Sequence, residues 1–334
     1  MTGAFLTALF FAGNAVCARR AALHFGSTTA NCLRLLLAVG LLGAWAHAVG
    51  QGVGGGAFGW FFVSGAVGFG IGGLTMFHAL PLIGSNLSML IVQCGSAVAA
   101  ALTEWLWLGT RLSPAQAGLA ALTLAGVVIG LAAVDPGGIR PARRRLGEGG
   151  RSRPTMSEPG IAGRGLPAPP MPPPFVLGIG LAIVSACAQG GSAVISRKAF
   201  MVLRSHGFLM DGATSAYQRA LGGLAVGLLA VAVWRLWPAA GRKAASEATA
   251  VPAMALPPWI WVVLNTLLGP VFGVTCYQWA LRTTQAGIVL PIVATAPLLT
   301  VPIARALEHS RPAPRYWIGA VLAVLGAAGL AVIK

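Results

Sequence analysis

The stretch LRLLLAVGLLGAWAHAV at residues 33–49 contains a single Lys, Arg, Asp or Glu residue, Arg34. A bilayer core about 30 Å thick is crossed by roughly 20 apolar residues in a helix. Residues 29–49 therefore predict a transmembrane helix. The whole chain has the same character, because only 9% of its 334 residues are charged, against roughly 25% in an ordinary globular domain. This composition excludes a typical soluble protein.

Ten apolar segments of the required length are bounded by charges, prolines or polar clusters. They predict an all-α integral membrane protein with ten transmembrane helices. The first segment lacks the basic start and the cleavage site of a signal peptide, so we interpret it as a span. The predicted spans are 3–22, 29–49, 57–80, 85–108, 114–134, 175–196, 213–236, 258–281, 286–307 and 315–333.

A segment rich in Pro, Gly and Arg, residues 135–174, separates the fifth predicted span from the sixth. It is nearly free of large apolar residues and cannot bury a core, which is typical of a flexible linker. The chain is therefore divided into a first domain at 1–134 and a second domain at 175–334. Each domain contains five predicted spans.

The two domains resemble each other in sequence. GNAVCARRA at 13–21 matches GSAVISRKA at 191–199, and GGLTMFHAL ending at Leu80 matches GVTCYQWAL ending at Leu281. Arg34 and Arg219 lie near the starts of the second and seventh spans. Since five spans is an odd number, the second domain enters the membrane from the opposite side. The matches therefore predict two inverted five-helix repeats.

These features resemble the drug/metabolite transporter superfamily, in particular proteins with two EamA-type domains. The motifs are GNAVCARR in span one, NCLRLLLAVGLL in span two, and the Gly-rich closing spans AGLAALTLAGVVIGL and YWIGAVLAVLGAAGL. The resemblance implies ten helices, cytoplasmic termini, a central cavity and export or exchange of metabolites. The chain departs from the family pattern in the first domain, where Thr110 replaces a usual acid and Ser96 a usual proline. Pro297 and Glu308 keep that pattern in the second domain.

Two arguments predict opposite orientations of the chain in the membrane. More Lys and Arg residues follow the odd-numbered spans than the even-numbered ones, and the positive-inside rule then predicts both termini outside. The resemblance implies cytoplasmic termini, and this is the orientation that we expect.

Uncharged polar residues lie where inverted-repeat transporters bind their substrate, near the middle of the membrane. An unpaired amide in hydrocarbon costs several kcal/mol, so these side chains should face the protein interior or water. They are candidates for substrate binding, and for the amides Asn14, Gln93 and Gln189 the alternative is a hydrogen bond between neighbouring helices. The candidates are Asn14, Gln93, Ser96, Gln189, Ser192, Gln278, Trp279 and Thr295.

Four charged or titratable side chains lie within or near the predicted spans. Arg34 and Arg219 could each guard one mouth of a cavity and attract an anionic or zwitterionic solute, or could extend to lipid phosphates. His78 and Glu104 are the candidate proton carriers, and their alternative role is that of interfacial side chains in contact with water. Arg305 and Glu308, three residues apart, predict an ion pair within one helix.

Several classes of function are excluded. The five cysteines lie singly in apolar segments without C-x-x-C pairs, so we expect no metal and no cofactor. No nucleophile, base and acid are grouped as in an enzyme. The net charge of +16 resides in loops between spans, where basic residues meet lipid head groups rather than nucleic acid.

The sequence thus predicts a secondary transporter of a small polar metabolite, such as an amino acid or related compound. Its two inverted repeats would work by alternating access. The alternative is a non-transporting membrane scaffold or sensor subunit. We expect a multi-pass protein of the bacterial cytoplasmic (inner) membrane with two partners, the solute and the lipid bilayer, and a homodimer is compatible with the sequence.

Overall fold

A computed structural model describes residues 1–132, 173–236, 257–300 and 314–333. Throughout these ranges the chain is helical and contains no strand. The helices are α1 Thr2–Phe25, α2 Ser27–Ala48, α3 Phe58–Gly84, α4 Leu87–Leu108, α5 Pro114–Ala132, α6 Pro173–Ser205, α7 Gly212–Leu236, α8 Pro258–Thr283, α9 Ala286–Thr300 and α10 Pro314–Val332.

A helix lies at each of the ten predicted segments, which confirms the all-helical class for the described residues. Seven of these helices are long and apolar enough to cross a membrane, namely α2, α3, α4, α6, α7, α8 and α10. Two more, Pro114–Gly130 within α5 and the helix α9, are shorter apolar helices. Ten crossings therefore stay a prediction. Residues 135–172 of the predicted linker, the Arg305–Glu308 pair and the end of the ninth predicted span lie outside the described residues, and α6 begins at Pro173, two residues before the predicted sixth span.

Two helix boundaries depend on glycine. Gly26, between α1 and α2, has a φ of 77°, and Gly84, between α3 and α4, has a φ of 77° and a ψ of 165°. Residues with a Cβ rarely adopt such positive φ values. The chain can therefore end one helix and start the next within one or two residues, which keeps α3 and α4 adjacent.

Helices α3 and α8 each contain a π-helical segment, at Ala66–Gly72 and at Leu267–Val271. Both segments begin 14 residues before the matched residues Leu80 and Leu281. A π-helical turn leaves backbone groups without their usual α-helical partners, and such turns are frequent at functional sites. In α3 the freed carbonyl of Gly72 accepts a hydrogen bond of 2.7 Å from the hydroxyl of Ser185 in α6.

Small residues allow close contacts between the two domains. A Cβ on Gly65 of α3 would overlap the carbonyl of Arg219 in α7, and a Cβ on Gly222 of α7 would overlap the carbonyl of Phe62 in α3. Gly126 and Gly319 bring α5 and α10 together in the same way. Because lipid tails are as apolar as leucine, helices in a membrane associate through such close packing.

The contacts between the domains are reciprocal. Helix α1 packs on α8 and α6 packs on α3, while α2 packs on α7 and α5 on α10. Large apolar side chains such as Leu36, Leu41, Leu229 and Leu325 point outward and are at least half exposed. A soluble protein rarely exposes so much apolar surface, whereas lipid would cover it in a membrane.

Candidate functional site

A small cavity lies where helices of both domains meet. The centre of a water molecule could move within a volume of about 40 Å³ in this cavity, and one water needs roughly 10–15 Å³ of such volume. The cavity therefore has room for a few waters in this conformation. A solute that fits it without a change of conformation would be small. Its walls are formed by Phe11 of α1, Gly68 and Phe69 of α3, Gln93 and Ser96 of α4, Gln189 and Ser192 of α6, Arg219 of α7, Val274 and Tyr277 of α8, and Leu290 and Val293 of α9.

Four of the predicted binding residues line this cavity together: Gln93, Ser96, Gln189 and Ser192. The Ser96 hydroxyl donates to the carbonyl of Gln93 at 3.0 Å, and the Ser192 hydroxyl donates to the carbonyl of Gln189 at 2.8 Å. Gln189 donates through Nε2 to the Ser185 hydroxyl at 3.2 Å. The buried Nε2 of Gln93 has no hydrogen-bond partner among the described residues. It is the kind of donor that a solute or a water can satisfy.

Three other predicted residues are buried outside the cavity wall. Asn14 is buried beside Gly269, in the π-helical segment of α8. Gln278 is fully buried and donates through Nε2 to the Ser196 hydroxyl at 3.4 Å. Thr295 donates to the carbonyl of Ile292 at 2.7 Å within its own helix. The contact of Gln278 joins α8 to α6, whereas that of Thr295 stays within α9.

The prediction for Trp279 differs from the structure, because this side chain is 46% exposed on the outer surface of α8. A residue two positions away on an α-helix, with 3.6 residues per turn, points to nearly the opposite face. Tyr277 accordingly points inward and lines the cavity. Because of this spacing, the rotation of α8 that turns Tyr277 inward turns Trp279 to the outer surface.

The two arginines of the matched repeats are both buried, with 5% of Arg34 and 3% of Arg219 exposed. Their guanidinium carbons lie 5.9 and 5.1 Å from the centre of the same ring, Phe69. The prediction that they guard opposite mouths is therefore wrong, and so is the alternative that they extend to lipid phosphates. Helix α7 packs on the π-helical segment of α3 that carries Phe69, and α2 packs on α7, so both side chains reach this ring.

Glycines around Phe69 make room for these guanidinium groups. A Cβ on Gly68 would lie 3.0 Å from Nη2 of Arg219, and a Cβ on Gly73 would lie 2.9 Å from Nη2 of Arg34. The Gly-rich run at 68–73 therefore serves close packing against charged side chains. Arg34 donates through Nε to Asn31 at 3.0 Å, whereas Arg219 donates through Nη2 to Ser192 at 3.2 Å.

The two candidate proton carriers lie in different surroundings. His78 is exposed and contacts the carbonyl of Leu74 at 2.8 Å, as expected for an interfacial side chain. Glu104 is only 2% exposed, so the interfacial alternative does not fit it. Its carboxylate lies 2.6 Å from Nε of Arg197 in α6 and accepts a 2.9 Å hydrogen bond from the backbone N–H of Gly287 in α9.

The aromatic and aliphatic wall of the cavity was not among the predicted site residues. Phe11, Phe69 and Tyr277 contribute rings, and Val274, Leu290 and Val293 contribute aliphatic surface. Apolar residues are very frequent in this chain, so composition does not distinguish those that line the cavity. Only their position around the helix relative to Gln93 or Gln189 could have identified them.

Across residues 1–132, 173–236, 257–300 and 314–333, no group of three His, Cys, Asp or Glu residues could hold a metal ion. The arrangement can bind a solute through one cation, neutral amides and hydroxyls, and an apolar wall.

The profile of the EamA-like transporter family matches residues 1–131 and 176–332. No curated protein matches the chain. A solved structure described simply as "Crystal structure of protein" is 19% identical, with a TM-score of 0.63 over 98% of this chain and 96% of the other. At that identity the likeness concerns the fold alone.

Proposed function

Because the chain belongs to the EamA-like transporter family, we propose that it is a secondary transporter of a small polar metabolite, such as an amino acid or related compound. The protein is an integral multi-pass membrane protein of the drug/metabolite transporter superfamily. In the proposed mechanism, ten helices cross the membrane as two inverted repeats, 1–134 and 175–334. Alternating access of these repeats carries the solute as an exporter, exchanger or facilitator.

One observation carries this proposal. The cavity is lined by α1, α3 and α4 of the first domain and by α6, α7, α8 and α9 of the second. The polar side chains of its wall are buried, apart from the half-buried Gln189, in a protein that exposes many large apolar side chains. In transporters with inverted repeats, one repeat rocks against the other around a solute site at their interface. The position of this cavity fits that arrangement.

The inverted relation of the repeats is supported by matched irregularities. The π-helical segments of α3 and α8 begin at equivalent positions, and each faces a helix of the other domain. Broken or irregular transmembrane helices are tolerated where they line a cavity. We propose that the segment of α3, which contributes Gly68 and Phe69 to the cavity wall, is a flexible part of the solute site.

The Glu104–Arg197 pair supports alternating access. It joins α4 of the first domain to α6 of the second, and Glu104 also holds the first turn of α9 through Gly287. In the proposed mechanism this contact closes one end of the cavity and separates when that end opens. If two conformations differ in free energy by a few kcal/mol, a solute that binds one of them more tightly shifts the population towards that conformation.

Uptake into liposomes tests the proposed function. Purified protein is reconstituted, and the entry of a broad panel of labelled amino acids, organic acids, amines and amides is measured against protein-free liposomes. We expect saturable entry of a subset of the panel. If no compound moves while the protein stays folded, the transporter proposal fails and the scaffold or sensor alternative is favoured. A reporter fused at Lys334 separately tests the expected cytoplasmic termini, since reporter activity on the outer face would contradict them.

A further inference from the structure

We propose that the cavity recognises a small monocarboxylate through the guanidinium of Arg219. This inference rests on the proposed function and names the class of its solute. Arg219 is 3% exposed and lines the cavity. Its Nη2 donates to Ser192 at 3.2 Å, while its buried Nε and Nη1 atoms have no hydrogen-bond partner among the described residues.

No carboxylate of the described residues compensates the charge of Arg219. The ion pair found in the described part of the chain is the one between Arg197 and Glu104. An arginine cannot lose its proton in a protein, so Arg219 keeps its charge. Burying a charge is costly unless it is paired and hydrogen-bonded.

The aromatic rings supply part of the missing compensation. The guanidinium carbon of Arg219 lies 5.1 Å from the centre of Phe69 and 5.9 Å from that of Tyr277. Cation–π contacts at such distances attract the cation but satisfy none of its N–H donors. Nε and Nη1 keep their donors, and Nη2 keeps a second N–H beside its bond to Ser192. The N–H groups of Nη2 pair with that of Nε on one side and with that of Nη1 on the other, so one complete fork is left for the two oxygens of a carboxylate.

The rest of the cavity restricts the solute further. Arg219 is the only Lys or Arg among its described lining residues, which matches a single negative charge. Gln93, Ser96 and Gln189 offer neutral polar groups, and Val274, Leu290 and Val293 offer an apolar surface. These features fit a small molecule with one carboxylate group, the rest of which is short and either neutral or carries an amino group.

Thermal stabilisation tests the inference with simple carboxylates and their amides as probes. A ligand that binds only the folded protein raises its Tm. Full-length protein in detergent is heated with acetate, propionate and alanine, and with acetamide, propionamide and alaninamide, at matched ionic strength. We expect the carboxylates to raise the Tm and the amides to leave it unchanged. This comparison uses the wild-type protein alone and does not depend on the folding of a variant.

Three variants assign the effect to the guanidinium. Arg219→Gln should weaken carboxylate binding at least about 30-fold, since truncating one partner of a buried charge pair is costly. Arg219→Lys keeps the charge but loses the planar fork, so an intermediate loss of about 10-fold is expected. The matched control is Arg204→Gln, because Arg204 is an exposed arginine that contacts the carbonyl of Arg282. It should respond to carboxylates like the wild type.

The results separate this inference from the proposed function. Equal stabilisation by amides, no stabilisation by any carboxylate, or a full response in Arg219→Gln would overturn the carboxylate site. If liposomes take up amides or amines but not carboxylates, the transporter proposal stands and the carboxylate inference fails. Carboxylate stabilisation through Arg219 without any uptake supports the site and contradicts transport.

Discussion

Arg34 and Arg219 occupy matching positions in the two domains, yet their partners differ. Three residues before Arg34 stands Asn31, whose side-chain oxygen accepts a hydrogen bond from Nε of the arginine at 3.0 Å. Three residues before Arg219 stands Ala216, which has no acceptor in its side chain, and Nε of Arg219 has no partner among the described residues. One arginine is thus bound within the protein, and the other is left with donors for a solute.

Arg197, which is half-buried, is a third arginine for comparison, and its partner is a carboxylate. Its Nε lies 2.6 Å from the Glu104 carboxylate. The three arginines therefore have a carboxylate, an amide and a hydroxyl as partners. If the partner decides how much each cation contributes to stability, then removing the partners should lower stability in that same order.

The largest expected effect is that of Glu104→Gln. Breaking a buried ion pair costs about 3–5 kcal/mol, and the 18% exposure of the Arg197 side chain favours the lower end of that range. We expect the free energy of unfolding in detergent to fall by about 3 kcal/mol. Arg204→Gln serves as the control for loss of a surface charge contact, and an equal effect of both variants would contradict the role of the Glu104 pair.

The second prediction contrasts the two arginines directly. Arg34→Met removes a hydrogen-bonded cation that stacks 4.7 Å from the centre of Phe77, so the Tm should fall. Arg219→Met removes a cation without a carboxylate partner, and replacing buried charges by apolar residues can stabilise a protein by about 1–4 kcal/mol. The Tm of the solute-free protein should therefore rise. Changes of the same sign and size in both variants would show that the two sites are equivalent.

The third prediction removes the feature that distinguishes the two sites. Asn31→Ala deprives Arg34 of its acceptor and leaves Nε without a partner, as in Arg219. A hydrogen bond to a charged group contributes about 1.5–3 kcal/mol, so chemical unfolding should show a loss within that range. The carboxylate response of the cavity should be unchanged. A loss of that response would mean that Asn31 and Arg34 act on the solute site.

The smallest effect is expected for Ser192→Ala. The Ser192 hydroxyl accepts one hydrogen bond from Arg219 and donates another to Gln189 within its own helix. Loss of such a group should cost about 1 kcal/mol, measured as a small decrease in Tm. Ser205→Ala is a matched control, since Ser205 is exposed and its hydroxyl donates to Val202 within the same helix. A change in Ser192→Ala no larger than in this control would remove Ser192 as a partner of Arg219.

The sequence predicted the helices well because each depends on local composition. The predicted spans 29–49, 85–108 and 258–281 agree with α2, α4 and α8 to within two residues at each end. Four cavity residues were also predicted, because amides and hydroxyls near the middle of apolar runs are expected to face the protein interior.

The failures concern orientation around a helix and distant partners. Trp279 and Tyr277 are two residues apart, and composition alone does not indicate which of them faces lipid. Glu104 was predicted near a helix end, but its burial depends on Arg197 and Gly287, which are far away in the sequence. Arg34 and Arg219 were placed by repeat symmetry at opposite mouths, whereas close glycine packing brings both to Phe69.

Accessibility of the cavity from each membrane face is the most direct test of the account. Ser96 of the cavity wall is replaced by cysteine in a protein whose five native cysteines are replaced by alanine. An impermeant thiol reagent is then applied to right-side-out or inverted vesicles. Thr123→Cys, buried between α5 and α10, is the control that should not react from either face. Alternating access predicts reaction of Ser96→Cys from both faces, and reaction from neither face or from one face only would contradict it.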